Sequence, residues 1–184
     1  MQIDKDNLVW MDLEMTGLNP KKDQIIEIAT LVTDKDLNLL EYGPELVIQT
    51  PKALLDGMDD WCTQHHGDSG LTKKSLESTI TMADAERQTL EFMQKWIPAG
   101  KSPLSGNSIH QDRRFLEVYM PQVDAYMHYR NLDVSVFKEI ISRWYPKFPR
   151  MEKKGSHTAL DDILESIEEL KYYRKHILIP SNQI

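Results

Sequence analysis

Apolar residues open this chain as short, dense runs and close it as a stripe of helical period. Leu8 to Met15 is one run, and Gln24 to Thr33 is a second, carrying Ile25, Ile26, Ile28, Leu31 and Val32. Both have strand length, and Leu39 to Ile48 predicts a third strand. The Gly17-Leu18-Asn19-Pro20 stretch between the first two is a turn signal. The middle of the chain turns helical. Met82, Ala85, Met93 and Trp96 fall on one side of a helix over about Thr81 to Trp96, stopped by Pro98 and Gly100. Pro103 to Asn107 reads as a short strand, Gln111 to Met120 as a helix ended by Pro121, and Leu132 to Val134 as another strand. Ser135 is a candidate N-cap for a helix over Val136 to Trp144. Leu160, Ile163, Leu164, Ile167 and Leu170 form the stripe of a last helix, with Asp161, Glu165 and Glu168 turned away from it. Strands first, then helices alternating with short strands, predict an α/β fold with a mixed sheet. The order of the strands is not contained in this pattern.

Composition narrows the picture. A chain of 184 residues, 28% charged and 40% hydrophobic, predicts one globular domain with a sizeable core. No apolar run reaches bilayer length, and Met1 to Asp6 lacks the basic-then-greasy pattern of a secretory signal. Cys62 is the single cysteine, which excludes an internal disulfide; together these features predict a cytoplasmic protein with no membrane partner. The net charge is -7, with 22 basic against 29 acidic residues. That balance argues against a track for long nucleic acid such as duplex DNA. It is compatible with a short substrate held in a pocket where bound metal ions reverse the local charge.

The candidate chemistry lies in acids that the hydrophobic pattern does not explain. In Val9-Trp10-Met11-Asp12-Leu13-Glu14-Met15, strand alternation puts Asp12 and Glu14 on one face beside apolar neighbours. Two such carboxylates repel and lose hydration, and a divalent cation would relieve both. The plain alternative is a strand with one wet, acidic face. Asn107-Ser108-Ile109-His110-Gln111-Asp112 places an acid at a helix start, where dipole compensation is an ordinary explanation. His157 precedes the last helix and Asp162 falls in its first turn, outside the stripe, although Thr158 and Asp161 also resemble a capping box.

In combination these acids form an ordered set that resembles the DEDD 3′-to-5′ exonuclease superfamily in its histidine-containing branch. Asp12 and Glu14 match its first motif, Asp112 its second, and His157 with Asp162 its third. The resemblance is closest to the oligoribonuclease family. It rests on Asp12 to Leu18, on Gly106-Asn107-Ser108 with Asp112 to Phe115, on His66 with Ser69-Gly70-Leu71, on Tyr129-Arg130 and on Leu132 to Ser135. His65 and His66 are adjacent, so the family histidine is one of the two, and His110 stands in the second motif where a small residue is expected.

The resemblance implies a ribonuclease H-like mixed sheet flanked by helices, in a single exonuclease domain with its core over about residues 7–179. It implies two divalent cations, Mg²⁺ or Mn²⁺, on Asp12, Glu14, Asp112 and Asp162, with His157 as general base. It further implies that Leu18 wedges against bases and Trp61 stacks. Ser108, Arg130 and Ser135 would cap a 5′ phosphate, and Tyr129 and His66 would complete the site from a second subunit of a homodimer. Without the resemblance, Leu18 reads as packing, Trp61 as core or interface, Arg130 as an ordinary ion-pair partner and Ser135 as the N-cap. The expected activity is hydrolysis of very short single-stranded RNA, dinucleotides above all, to 5′-nucleoside monophosphates. The alternative within the superfamily is a single-strand DNA exonuclease or proofreading subunit.

Overall fold

The computed structural model describes residues 3–149, 151 and 158–178. The three apolar runs form an antiparallel meander of β1 (Leu8–Met15), β2 (Ile25–Thr33) and β3 (Leu39–Val47). After α1 (Lys52–Leu55), α2 (Asp60–Asp68), α3 (Leu71–Glu77) and α4 (Met82–Gln94), the chain returns as β4 (Leu104–Gly106), parallel to β1. Helices α5 (His110–Tyr119) and α6 (Pro121–Tyr126) lead to β5 (Asn131–Asp133), parallel to β4, and α7 (Ser135–Trp144) and α8 (Ala159–His176) follow. The sheet has five strands in the order β3-β2-β1-β4-β5. This is the mixed, helix-flanked sheet expected of the fold class.

The two faces of the sheet carry separate cores. Val9, Met11 and Leu13 pack with Phe92 and Met93 of α4 and Phe115 and Leu116 of α5. Trp10, between them in sequence, faces the other way and packs with Ile163, Ile167 and Tyr173 of α8. Burial on both faces explains why six of the nine β2 residues are apolar, with every position buried, Glu27, Thr30 and Thr33 included. The same alternation assigns Asp12 and Glu14 to the face of Trp10, which α8 covers.

Some elements differ from expectation. Helices α1, α2, α3 and α6 carry no clear apolar period. Helix α2 buries only Cys62 and His66, so its sequence presents two inward positions instead of a stripe. Pro121 stops α5 as predicted, but it also opens α6, because the first position of a helix tolerates a missing N–H. Ser135 is not an N-cap. It is the first residue of α7, after Val134, and its hydroxyl donates to Asp133 Oδ1 at 2.6 Å.

A buried polar cluster ties α8 to the loop after β4. Glu169, only 4% exposed, accepts from Tyr173 Oη at 2.6 Å and Asn107 Nδ2 at 3.2 Å, and pairs with Lys138 Nζ at 3.0 Å. Asn107 also donates to Ser166 Oγ at 2.7 Å, and Ser166 donates to the Asp162 carbonyl at 2.8 Å. Glu169→Ala removes the carboxylate that Lys138, Asn107 and Tyr173 share, although Lys138 keeps Asn107 Oδ1 at 3.1 Å and Asn107 keeps Ser166. A loss of about 2–3 kcal/mol is expected, below the range for a fully buried pair because Lys138 is partly wet. The shift in urea midpoint at constant slope measures it.

Candidate active site

Four acids meet where β1 passes under the start of α8. Asp12 and Glu14 project from β1 on one face. Thr158 caps α8 by accepting from Asp161 N–H at 3.2 Å and donating to its carboxylate at 2.8 Å. The predicted capping box is therefore present, and it occupies Asp161 rather than Asp162. Ligand oxygens of Asp12, Glu14 and Asp162 lie within 4.8 Å of one another. The fourth acid arrives by a different route. Strand β4 pairs with β1 only at Val9 and Trp10. Beyond that ladder the Leu13 N–H donates to Asp112 Oδ1 at 3.0 Å, which fastens α5 between the two β1 acids. Gly106 permits this approach, since a Cβ there would stand 2.9 Å from the Met11 carbonyl oxygen.

The electrostatics are those of a site built to hold cations. Burial pushes the Asp12 carboxyl well above the ordinary range, and Asp112, Glu14, Asp162 and Glu27 push it further. Burial first, then Glu27, Asp162 and Asp112, raise Glu14 to about 8. Asp112 is raised to about 7 by burial, against the pull of its own backbone N–H and that of Leu13. So many desolvated carboxylates cannot all ionise without countercharge. An oxygen-only donor set at this spacing fits divalent cations of the Mg²⁺ and Mn²⁺ type. His157 lies outside the described residues.

The two neighbouring histidines occupy different environments. His66 is buried, and its Nε2–H donates to the Met15 carbonyl at 2.9 Å. Among the described residues its Nδ1 is buried with no hydrogen-bond partner, 3.9 Å from Glu14 Oε2. Burial lowers the His66 pKa below the usual imidazole range. His66 thus stands beside Glu14 of its own chain, and reaching the acids does not require a second subunit. His65 stacks on Trp61, with ring centroids 4.6 Å apart and planes 12° from parallel, and Trp61 itself is exposed. Leu18 is exposed at the tip of the turn after β1. Asp23 holds that turn by accepting from Asn19 N–H at 2.9 Å, and Tyr119 Oη bridges the Pro20 and Asp23 carbonyls at 3.2 and 2.7 Å.

Ser108 and Ser135 come together through Asp133, which the matching string Leu132 to Ser135 contains but to which the sequence reading gave no role. Asp133 Oδ1 accepts from Ser108 N–H at 2.9 Å and from Ser135 N–H at 3.0 Å, besides the Ser135 hydroxyl. Ser108 takes a left-handed conformation, φ 52°, to reach it. His110 Nδ1 stands 3.5 Å from the other Asp133 oxygen. An acid two residues before Ser135 was the available signal. Tyr129 and Arg130 are solvent-facing, the guanidinium 5.3 Å from the Tyr129 ring centroid. Arg113 shapes that segment, donating to Asp124 at 2.9 Å, the His128 carbonyl at 2.9 Å and Asn131 at 2.8 Å. Among the described residues neither Tyr129 nor Arg130 forms a hydrogen bond or ion pair with the four acids.

Comparison with known proteins matches residues 9–170 to the RNase_T exonuclease family model. The chain is 60% identical over 180 residues to an oligoribonuclease of Hydrogenovibrio crunogenus, covering 97% of this chain and 98% of that protein. It is 57% identical over 173 residues to an oligoribonuclease of Pseudomonas aeruginosa, covering 94% of this chain and 96% of that one. Among solved structures, exonuclease I from Methylocaldum szegediense superposes with a TM-score of 0.69 at 16% identity over 93% of this chain. At that identity the likeness is one of fold, and the chain spans 41% of that protein's length.

Proposed function

The chain belongs to the RNase_T exonuclease family, and from that membership we propose that it is a 3′-to-5′ exoribonuclease acting on very short RNA. The observation that carries the reading is the convergence of Asp12, Glu14, Asp112 and Asp162 under the start of α8. Identity of 60% to an oligoribonuclease over nearly the whole of both chains supports the substrate class.

In this reading Asp12, Glu14, Asp112 and Asp162 hold two divalent cations, Mg²⁺ or Mn²⁺. When bound, the cations supply the Lewis acidity that activates water and stabilises the leaving oxygen. The rigid β1 backbone and the Leu13–Asp112 hydrogen bond fix the ligands before substrate arrives. His157 takes the proton of the attacking water, and the products are a 5′-nucleoside monophosphate and a shortened RNA. Leu18 and Trp61 are exposed, which leaves Leu18 free to wedge against bases and Trp61 free to stack on them. His66 orients beside Glu14 and the 3′ end. Ser108, Arg130 and Ser135 take a 5′ phosphate, with Asp133 holding the two serines in place, and this cap limits length because a longer RNA has no free end to place there. Tyr129, 74% exposed, completes the site of the partner in a homodimer. The protein is one exonuclease domain, working in the cytoplasm; no described helix is long and apolar enough to cross a membrane.

Incubation with 5′-phosphorylated RNAs of two to seven nucleotides, with and without EDTA, tests the reading. The dinucleotide should turn over fastest, and chelator should stop all cleavage. Faster turnover of the longer RNAs would favour a single-strand exonuclease or proofreading role instead. Arg130→Ala tests the cap separately. Loss of a charge-assisted hydrogen bond should raise KM for a 5′-phosphorylated dinucleotide by about 10- to 100-fold. The same substitution should change KM much less for the 5′-hydroxyl dinucleotide.

A further inference from the structure

One cluster of metal-binding groups overlaps the four acids but differs from them in chemistry. Glu14, His65 and His66 carry ligand atoms within 4.8 Å of one another. Three features of His66 are those of a metal ligand. The ring is 1% exposed, so its orientation is set by packing. Its Nε2–H is committed to the Met15 carbonyl at 2.9 Å, which leaves the Nδ1 lone pair as the free face. Histidine ligands are ordinarily oriented by such a hydrogen bond from the opposite nitrogen. Among the described residues that Nδ1 is buried without a hydrogen-bond partner, and it stands 3.9 Å from Glu14 Oε2. None of the described residues donates to this lone pair.

We propose that Glu14, His65 and His66 form a zinc site, separate in donor chemistry from the four-carboxylate site, and that Zn²⁺ bound there opposes RNA hydrolysis. Two imidazole nitrogens and one carboxylate oxygen are a recurrent zinc donor set, with a fourth position left for water. Nitrogen donors favour Zn²⁺ over Mg²⁺, which takes oxygen ligands. Bonds of about 2.0–2.1 Å place tetrahedral ligand atoms roughly 3.3 Å apart; the three ligand atoms lie within 4.8 Å of one another and His66 is fixed by packing, so movements of up to about 1.5 Å in the Glu14 and His65 side chains close the site. His65 also lines an open cleft of about 520 Å³ with Trp61, Gln64 and Thr158, which gives an ion a path to it. Inhibition follows because Glu14 is shared: a carboxylate drawn toward the imidazoles is drawn away from Asp12 and Asp162. The inhibition rests on the function proposed above, whereas the binding does not.

Calorimetric titration with Zn²⁺ at saturating Mg²⁺ and without RNA measures binding alone, and Co²⁺ in place of Zn²⁺ reports nitrogen ligation by its visible absorption. Wild-type protein should bind one Zn²⁺ per chain. His65→Asn and His66→Asn, each checked for fold by circular dichroism, should weaken binding at least about tenfold, while Asp162→Asn should not. Unchanged affinity in both histidine variants, equal loss in Asp162→Asn, or no binding beside Mg²⁺ would each overturn the site. With RNA present, Zn²⁺ should inhibit at saturating Mg²⁺, reversibly on chelation, and His65→Asn should need at least about tenfold more Zn²⁺ relative to its own zinc-free rate. Wild-type binding without inhibition overturns the regulatory half. A protein that binds Zn²⁺ but cleaves no RNA refutes the proposed function and leaves the site standing.

Discussion

Asp12→Ala should abolish RNA hydrolysis and leave a folded protein at least as stable as the parent. Asp12 is the acid on which the others bear most widely: Asp112, Glu14 and Asp162 all raise its pKa, after burial itself. In the proposed function Asp12 holds a cation, and losing such a ligand costs the reaction several kcal/mol, or about 10³-fold or more in kcat. The same change relieves repulsion among the acids that remain, so thermal stability without metal should hold or rise. Asp112→Ala should behave differently. It too should be inactive, but it strips the Leu13 N–H of its acceptor inside the sheet. That cost is about 1–3 kcal/mol, visible in urea unfolding. Asp112→Asn, which can keep the acceptor, should recover the stability and not the activity. Full activity in Asp12→Ala would refute the assignment.

Stripped of divalent ions, the protein should lose stability as pH rises from about 4 to 8. Glu14 is raised to about 8 and Asp112 to about 7, and Asp12 is raised as well. Between the unfolded and folded pKa values the native state holds protons that the unfolded chain has released. Stability therefore falls with pH across that window. It is fully present near pH 4 and lost as pH passes the folded values. The expected fall in Tm is on the order of 5–10 °C. Saturating Mg²⁺ or Mn²⁺ should reverse the trend at pH 8, since cations bind only the native cluster, and binding should release protons in proportion to the acids neutralised. In Asp12→Ala the pH slope should flatten. A metal-free Tm that is flat or rises over this range would mean that the acids are not held as the structure holds them.

Much of this molecule is legible in one dimension. The strand runs at Leu8, Gln24 and Leu39, the turn at Gly17, the long helices α4 and α8 and the capping box at Thr158 are local. Each depends on side-chain period or on hydrogen bonds within a few residues. Alternation alone put Asp12 and Glu14 on one face, and the joint order of the acids carried the family resemblance. Short helices such as α2 and α6 were not legible, because an element that buries two residues or one leaves no period to detect.

What only the tertiary structure decided are the relations between distant segments. The strand order β3-β2-β1-β4-β5 puts β4 beside β1 rather than beside β3, and that crossover carries Asp112 to the Leu13 amide, 99 residues away in sequence. The roles of Asp133 and Glu169 came from the same source, as did the separation of His66 from His65: one locked on the Met15 carbonyl, the other stacked on Trp61. The physical reason is that periodicity reports which face of an element is apolar, but not which element will cover that face. A carboxylate's pKa, a lone pair's partner and a ligand's distance depend on that covering element.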